Sequence, residues 1–169
     1  MSNAVCFAPV EEADAVILIL GSMPGQESLT QQQYYAHPRN AFWPIIAEIT
    51  GFVSDIPYAD RVRLLPQHGI ALWDVLQSCF RPGSLDASID EASIIANDFQ
   101  RFFAAHPAVR LVVFNGGKAY QAYQKHVLPG LPDCYRQIER LKLPSTSPAN
   151  ARMNMAEKLD AWLEIRGYL

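Results

Sequence analysis

The sequence predicts an α/β fold, a three-layer sandwich in which a central, mainly parallel four-stranded sheet is flanked by helices. Two segments, Ala15–Leu20 and Val109–Phe114, are almost continuously apolar, which is typical of parallel strands covered on both faces. Between these runs lie segments with apolar residues at helical spacing. No internal repeat or long linker interrupts this alternation, so residues 1–169 are expected to form a single domain.

The predicted elements alternate along the chain. Four strands are predicted, at Ala15–Leu20, Ile70–Trp73, Val109–Phe114 and Glu139–Leu143. The predicted helices are Ala41–Ile49, Ala92–Ala104, Gly117–Lys125 and a C-terminal helix with Met155, Leu159, Trp162 and Leu163 on one face. Asn40 is expected to cap the first helix, and Gly167 is expected to end the last one.

Composition narrows the class of protein. Half of the 169 residues are hydrophobic and the formal net charge is -3, which leaves room for a local basic strip that binds nucleic acid. The three cysteines are scattered and form no C-x-x-C pair, so we expect no metal, no other cofactor and a reducing, cytoplasmic location. No apolar run approaches the ~20 residues that a membrane span needs, so no membrane partner is expected.

Polar loops follow each predicted strand. The segments are Gly21–Asn40, Asp74, Asn115–Lys118 and Ser145–Arg152. Because parallel strands end at one edge of the sheet, these loops should converge there, where α/β proteins bind ligands.

Several residues in these loops have two interpretations. Residues 145–147 either bind phosphate, through backbone N–H groups and hydroxyls at the start of a helix, or merely cap that helix. Asn115 either reads the edge of a base or forms an ordinary turn, and His37 either exchanges a proton or shapes its loop. Of Tyr34 and Tyr35, one is expected to face the cavity and stack on a planar ligand, unless both belong to the core.

Two runs carry a family resemblance. Gly21-Ser22-Met23-Pro24-Gly25, and Tyr35-Ala36-His37-Pro38-Arg39-Asn40-Ala41-Phe42-Trp43, resemble motifs of the uracil-DNA glycosylase superfamily. The resemblance continues through residues 69–75, 117–120 and 143–148, in the same order, and spans roughly residues 15–152.

One departure narrows the resemblance. The mismatch-specific uracil and thymine branch has a water-holding Asn in the first motif, where this chain has Met23. The variant with Met23 and His37-Pro38-Arg39-Asn40 is similar to the hypoxanthine-DNA (deoxyinosine) glycosylase family of the superfamily. The resemblance implies removal of hypoxanthine from damaged DNA, double-stranded or single-stranded, by a monomer that leaves an abasic site.

The resemblance also suggests roles for particular residues. Asn40 is the catalytic candidate that orients water. The base-binding candidates are Tyr35, Ser22, Met23, Asn115 and His37, and the DNA-binding candidates are Ser145, Thr146, Ser147, Asn150 and Arg152.

Three other functions are also compatible with the sequence. One is a glycosylase for mismatched uracil or thymine, and another is a module that binds lesion DNA without catalysis. The third is a nucleotide-binding protein that uses Gly21–Gly25 as a phosphate loop, although the run lacks the Gly-Lys-Ser/Thr ending of a P-loop.

Overall fold

The computed structural model describes residues 3–53 and 55–169. Within this part of the chain the strands are β1 (Asn3–Val5), β2 (Ile17–Gly21), β3 (Ile70–Asp74), β4 (Leu76–Phe80), β5 (Ile95–Ala96), β6 (Leu111–Asn115) and β7 (Glu139–Leu143). The α-helices are α1 (Gln26–Gln31), α2 (Phe42–Thr50), α3 (Tyr58–Gln67), α4 (Phe99–Ala105), α5 (Gly117–His126), α6 (Asp133–Arg136) and α7 (Met155–Trp162).

The central sheet has four parallel strands in the order β3-β2-β6-β7. Alternate residues of β2 enter two separate cores. Ile17 and Ile19 pack with α2, α3 and α7, whereas Leu18 and Leu20 pack with α4 and α5. Helices therefore cover both faces, and the predicted three-layer α/β sandwich is confirmed.

A second, three-stranded sheet was not predicted. It runs β1-β4-β5 with antiparallel pairing, and β4 follows β3 almost directly. The predicted helix Ala92–Ala104 is wrong in its first half, where a 3₁₀ turn at Glu91–Ser93 and β5 replace it. Asp98 then caps α4, because its side chain accepts a hydrogen bond from the Arg101 N–H.

Other boundaries differ from the predictions by a few residues. Ala41, not Asn40, is the N-cap of α2, so the predicted cap is displaced by one position. The C-terminal helix ends at Trp162 and continues as a 3₁₀ helix, Leu163–Tyr168, that includes the predicted stop at Gly167. Met155, expected on the buried face of that helix, is exposed.

The strands end together at one edge of the sheet. β7 has its predicted bounds, while β2, β3 and β6 each extend one residue beyond the predicted end. Gly21 pairs with Asp74 in register, and Asn115 pairs with Leu143. The polar residues that follow these apolar strands are thereby held on a rigid sheet edge.

Candidate active site

A cavity of about 510 Å³ opens at this edge of the sheet. Its walls are residues 21–28, 84–87 and 145–150, together with Tyr34, Tyr35, His37, Asn40, Asp74 and Asn115. A volume of this order is typical of small-molecule and cofactor sites. Every site residue predicted from the sequence lines this cavity except Arg152, which lies outside it and is exposed.

The first wall is the loop 21–25, which a buried arginine fixes in place. The Arg81 guanidinium donates to the backbone oxygens of Met23 (3.4 Å) and Pro24 (2.6 Å), and its Nε donates to the oxygen of Gly83 (2.9 Å). Ser22 Oγ donates to Asp86 Oδ1 at 2.6 Å. The Met23 side chain is buried and gives this wall an apolar surface.

Thr146 joins three loops on the opposite side. Its N–H donates to Asn115 Oδ1, and its hydroxyl accepts from Asn115 Nδ2, both at 2.9 Å. Its backbone oxygen accepts from the N–H of Ala41 at 3.0 Å. We call Ala41, Asn115 and Thr146 the loop anchor.

The loop anchor corrects two predictions. Thr146 has no exposed surface, so the structure does not support a contact between its side chain and DNA. Asn115 lines the cavity, but its amide already holds Thr146 through both its oxygen and its nitrogen. Each of its two amide atoms keeps capacity for one further hydrogen bond.

The last loop differs from its prediction as well. Its backbone N–H groups were expected to bind phosphate, but the N–H of Ser147 donates to Ser145 Oγ (3.2 Å) and that of Ala149 donates to Ser147 Oγ (3.1 Å). Asn150 Nδ2 donates to the backbone oxygen of Ser145 at 3.1 Å. The hydroxyl groups of Ser145 and Ser147 therefore act as acceptors here and keep their hydrogens for an outside acceptor.

The helix after this loop begins later than expected. It starts at Met155 and is capped by Asn154, whose side chain accepts from the Glu157 N–H at 2.9 Å. The alternative in which a residue of 145–147 caps the helix is therefore wrong. Behind the loop, the buried Lys158 donates from Nζ to the backbone oxygen of Ser147 at 3.1 Å.

Asn40 and His37 lie on a tight turn at the cavity. Asn40 Oδ1 accepts from the N–H of Phe42 at 3.0 Å, and the N–H of Asn40 donates to the oxygen of His37 at 2.9 Å. His37 Nδ1 accepts from the N–H of Arg39 at 3.1 Å, so this ring does shape its loop. Both side chains are only half-buried and also line the cavity.

The deepest polar groups of the cavity have no hydrogen-bond partner. Asp74 is 3% exposed, and among the described residues neither its Oδ2 nor the buried hydroxyl of Tyr35 has a partner. Gly21 lies beside both: a Cβ placed there would be 2.5 Å from Asp74 Oδ1 and 3.0 Å from the Tyr35 hydroxyl. We call Gly21, Tyr35 and Asp74 the pocket floor.

Tyr35 is not the free stacking surface that was expected. Its ring stacks on Phe42 with centroids 4.1 Å apart, so one aromatic face is already covered. Its backbone has φ of 55°, in the left-handed region that is uncommon for residues other than glycine. Tyr34, its neighbour in the chain, is buried, and its hydroxyl donates to the backbone oxygen of Ala8 at 2.9 Å.

Burial sets the ionisation of the floor. The pKa of Asp74 is raised to about 7, chiefly by desolvation and also by the nearby Asp86, while Arg81 acts in the opposite direction. Desolvation and the Asp74 carboxyl group also raise the pKa of Tyr35, against the nearby Asn115 amide, which lowers it. The Tyr35 hydroxyl therefore keeps its proton at neutral pH. The floor is therefore built to hold protons in the neutral pH range.

Three cavity features were not predicted as site residues: the Asp74 carboxyl group, the Arg81 clamp and the segment 84–87. The sequence could have indicated Asp74 as a site residue, since it is a lone charge at the end of an apolar strand, at the edge of the sheet where ligands bind. Arg81, which holds the loop 21–25, and residues 84–87, which line the cavity, follow β4, a strand that the sequence did not indicate. In the described part of the chain, no group of three or more His, Cys, Asp or Glu side chains could hold a metal ion.

The comparisons with known proteins agree with this geometry. The family model "Uracil DNA glycosylase superfamily" matches residues 8–166, and the chain belongs to that superfamily. Two relatives carry the name hypoxanthine DNA glycosylase. One, from Methanosarcina acetivorans, is 37% identical over 149 residues, 88% of this chain and 89% of the relative. The other, from Methanosarcina barkeri, is 40% identical over 114 residues, 67% of this chain and 71% of the relative.

A solved structure shares the whole fold. It is a solution NMR structure of a protein from Methanosarcina acetivorans, with a TM-score of 0.81 and 34% sequence identity. The alignment covers 98% of this chain and 97% of that one.

The lengths and compositions of the helices also bear on membrane insertion. Among the described residues, none combines the length and the apolar composition that a membrane-spanning helix requires.

Proposed function

We propose that this protein is a DNA glycosylase that hydrolyses the N-glycosidic bond of deoxyinosine and releases hypoxanthine. The observation that carries the proposal is the cavity itself, which combines Met23 and Asn40 in a member of this superfamily. The two relatives named hypoxanthine DNA glycosylase, aligned over most of this chain, support the same substrate.

The base must leave the double helix before the enzyme can reach its glycosidic bond. A cavity of about 510 Å³ on a sheet edge suits an extruded nucleoside better than a stacked base. Hypoxanthine is a good candidate for extrusion because a mispaired base costs less to unstack. The free hydroxyl hydrogens of Ser145 and Ser147, with the exposed Arg152, are proposed to bind the flanking phosphates.

Asn40 is proposed to position the attacking water at C1′. One lone pair of its Oδ1 is used by the N–H of Phe42, which fixes the amide plane and leaves the second lone pair and the amide hydrogens for water. An amide is a weak base, but a water that attacks an oxocarbenium-like sugar needs position more than it needs deprotonation.

The reaction is proposed to be monofunctional and to leave an abasic site. Among the described residues, no lysine lines the cavity: Lys118 pairs with Glu91, and Lys158 is held by Ser147 behind its loop. The protein is proposed to act as a monomer on double-stranded DNA. Cys6, Cys79 and Cys134 are free, which supports a reducing compartment such as the cytoplasm.

The test is release of base from a labelled duplex that contains one deoxyinosine. Wild type should release hypoxanthine, and Asn40→Ala should release it far more slowly. Failure of wild type to release base, or equal rates for the two proteins, would contradict the proposed activity or the role of Asn40, respectively.

Two further arms separate the rival activities. Matched duplexes with uracil opposite guanine should be processed much more slowly, because Met23 has no amide to hold water; faster uracil release would favour the uracil/thymine activity. Borohydride should trap no protein–DNA adduct, and a stable adduct would contradict the monofunctional reaction.

A further inference from the structure

Among the described residues, two buried oxygen atoms of the pocket floor have no hydrogen-bond partner. These are Asp74 Oδ2 and the Tyr35 hydroxyl. The Asp74 carboxyl group and this hydroxyl both lie beside Gly21, and both residues line the cavity. Leaving a buried polar group without a partner costs about 1–3 kcal/mol, and more for a charged group. Such groups are rare in native proteins, and at the bottom of a cavity they indicate a ligand that supplies the missing partner.

The position of Asp74 is fixed by the fold. Asp74 pairs with Gly21 in the β2–β3 register, and its backbone oxygen accepts a hydrogen bond from Asn97 Nδ2 at 2.8 Å. Gly21 leaves room for the carboxyl group in its present position, since a Cβ at position 21 would lie 2.5 Å from Oδ1. The carboxyl group is therefore aimed at the cavity by the sheet and not by a mobile loop.

The protonated floor presents two donors, the Tyr35 hydroxyl and the carboxylic acid of Asp74. A 6-oxopurine such as hypoxanthine has two adjacent acceptors, O6 and N7, on one edge. Adenine has an amino group in place of O6 and would put a donor against a donor. The floor thus matches the deaminated base and opposes the normal one.

We propose that Asp74 is a second catalytic residue, which donates a proton to N7 of the departing hypoxanthine while the Tyr35 hydroxyl donates a hydrogen bond to O6. This inference rests on the proposed hypoxanthine activity and deepens it. It assigns the recognition of the 6-oxo group and the activation of the leaving group to one pair of side chains.

The step balances as follows. The C1′–N9 bond breaks and its electron pair stays with the purine, while the carboxyl proton of Asp74 moves to N7. The base leaves as neutral hypoxanthine and Asp74 becomes a carboxylate. The water held by Asn40 adds to C1′, and its proton passes to solvent or, once the base has gone, back to Asp74. General acids of this kind typically contribute 10²–10⁴-fold in rate.

The surroundings support a proton on Asp74 at neutral pH. Burial and the charge of Asp86 raise its pKa, and Arg81 acts in the opposite direction. The other ionisable groups that sense its charge are uncharged at neutral pH, and their own pKa values are raised; they are Cys6, Tyr34 and Tyr35.

The test compares wild type with Asp74→Asn, which keeps the shape and a donor but cannot give up a proton. Single-turnover release of hypoxanthine should fall about 100-fold, while binding of a duplex with uncleavable 2′-fluoro-deoxyinosine stays within about twofold. The wild-type rate should decline as pH rises above about 7, and the variant should show no such decline.

Two controls make the test sharper. Removing the charge in Asp86→Asn should move the decline to lower pH, because Asp86 raises the pKa of Asp74. Wild type should release 7-deazahypoxanthine as slowly as Asp74→Asn releases hypoxanthine, and the variant should add no further loss on that substrate. If wild type is active and Asp74→Asn has the same rate and pH profile, this inference is wrong and the proposed function stands. If wild type releases no hypoxanthine, both are wrong.

A separate observation concerns the rim of the cavity. Leu85 is 58% exposed, and it is the only large exposed apolar residue among those that line the cavity. Hydrogen bonds hold the chain on both sides of it: Ser84 Oγ accepts from the Gln26 N–H at 2.8 Å, and Asp86 accepts from Ser22. The loop therefore presents an apolar tip from a fixed base.

The geometry points to Leu85 as the wedge that enters the duplex where the damaged base has left the stack. Apolar side chains that insert between base steps are a recurring device of proteins that deform DNA. The loop 149–151 on the opposite rim has only small or polar residues and offers no such tip. This inference also depends on the proposed base flipping.

The test is the ratio of release rates on double-stranded and single-stranded deoxyinosine DNA. Leu85→Ala should slow release from the duplex about tenfold, the effect of about 1.4 kcal/mol, and should leave the single-strand rate unchanged, because a single strand has no gap to fill. Ile95→Ala, an equally exposed residue away from the cavity, is the matched control and should affect neither. An equal loss of release rate on both substrates for Leu85→Ala would contradict the role of Leu85 as the wedge. A loss of duplex rate in Asn150→Ala but not in Leu85→Ala would contradict it as well.

Discussion

The loop anchor and the pocket floor lie in the same cavity but differ in how their polar groups are used. In the anchor, both ends of the Asn115 amide and three groups of Thr146 have protein partners. In the floor, Asp74 Oδ2 and the Tyr35 hydroxyl have none among the described residues. The difference separates residues that hold the loops of the cavity together from residues that we propose to bind the base.

The Asn40 side chain has one protein partner and further hydrogen-bonding capacity, so it lies between these two groups of residues. Its removal should have the largest effect on the rate of hypoxanthine release. Asn40→Ala should lower hypoxanthine release by about 100-fold or more, because the water at C1′ loses its orientation. Asn40→Asp is the matched control for the fold, since its carboxylate still accepts from the Phe42 N–H. Single-turnover rates, measured together with melting temperatures, would separate a role in positioning water from a role in supporting the fold. A loss of rate in Asn40→Ala that is fully explained by its loss of stability would mean that Asn40 is only structural.

Gly21→Ala should disturb the floor without touching the anchor. The added Cβ would be 2.5 Å from Asp74 Oδ1 and would displace that carboxyl group, so we expect at least a tenfold loss of hypoxanthine release. Gly25→Ala is a matched control in the same loop, where the new Cβ meets only the Ser84 side chain at 3.7 Å or more. Similar rates for both variants would show that the floor is not used.

Thr146→Val should disturb the anchor in turn. The variant keeps the shape of the side chain but leaves Asn115 Nδ2 without its acceptor, so the free energy of unfolding should fall by about 1–3 kcal/mol. Thr50→Val, whose hydroxyl bonds only to Ile46 within α2, should change it by less than about 0.5 kcal/mol. Thermal unfolding measures both, and an unchanged Tm for Thr146→Val would contradict the role of the anchor.

The sequence was sufficient for the central sheet and less so for the elements around it. Almost continuous apolar runs such as Val109–Phe114 are typical of strands covered on both sides, and the structure confirms a buried strand there at Leu111–Asn115. The helix expected from Ala92 failed because its first residues pair with β4 instead, a long-range contact that local periodicity does not encode. The whole second sheet was missed for the same reason.

The site shows a similar division. Two observations, the positions of the loops after the strands and the family resemblance, were enough to predict that Met23, Asn40 and Asn115 lie in one cavity. Which polar atoms would remain unsatisfied could not be predicted, because that depends on contacts between loops distant in sequence. Thr146 was expected to meet DNA and is buried in the anchor, whereas Asp74 was only a residue at the edge and is now the deepest carboxyl group of the cavity.

The free protein should carry a measurable penalty for its unsatisfied floor. The pKa of Asp74 is raised from 3.8 to about 7, so the folded state holds this proton more tightly than the unfolded chain does. Stability from this group is therefore present below about pH 4 and is lost as pH rises through 7. Asn at position 74 does not titrate and escapes this loss.

The most direct test of this account is the Tm of Asp74→Asn relative to wild type, measured at pH 4 and at pH 8. We expect the Tm of Asp74→Asn relative to that of wild type to be several degrees higher at pH 8 than at pH 4. The variant should nevertheless release hypoxanthine more slowly. A difference in Tm that is the same at both pH values, or that favours wild type at pH 8, would contradict the claim that Asp74 is kept unsatisfied for the reaction.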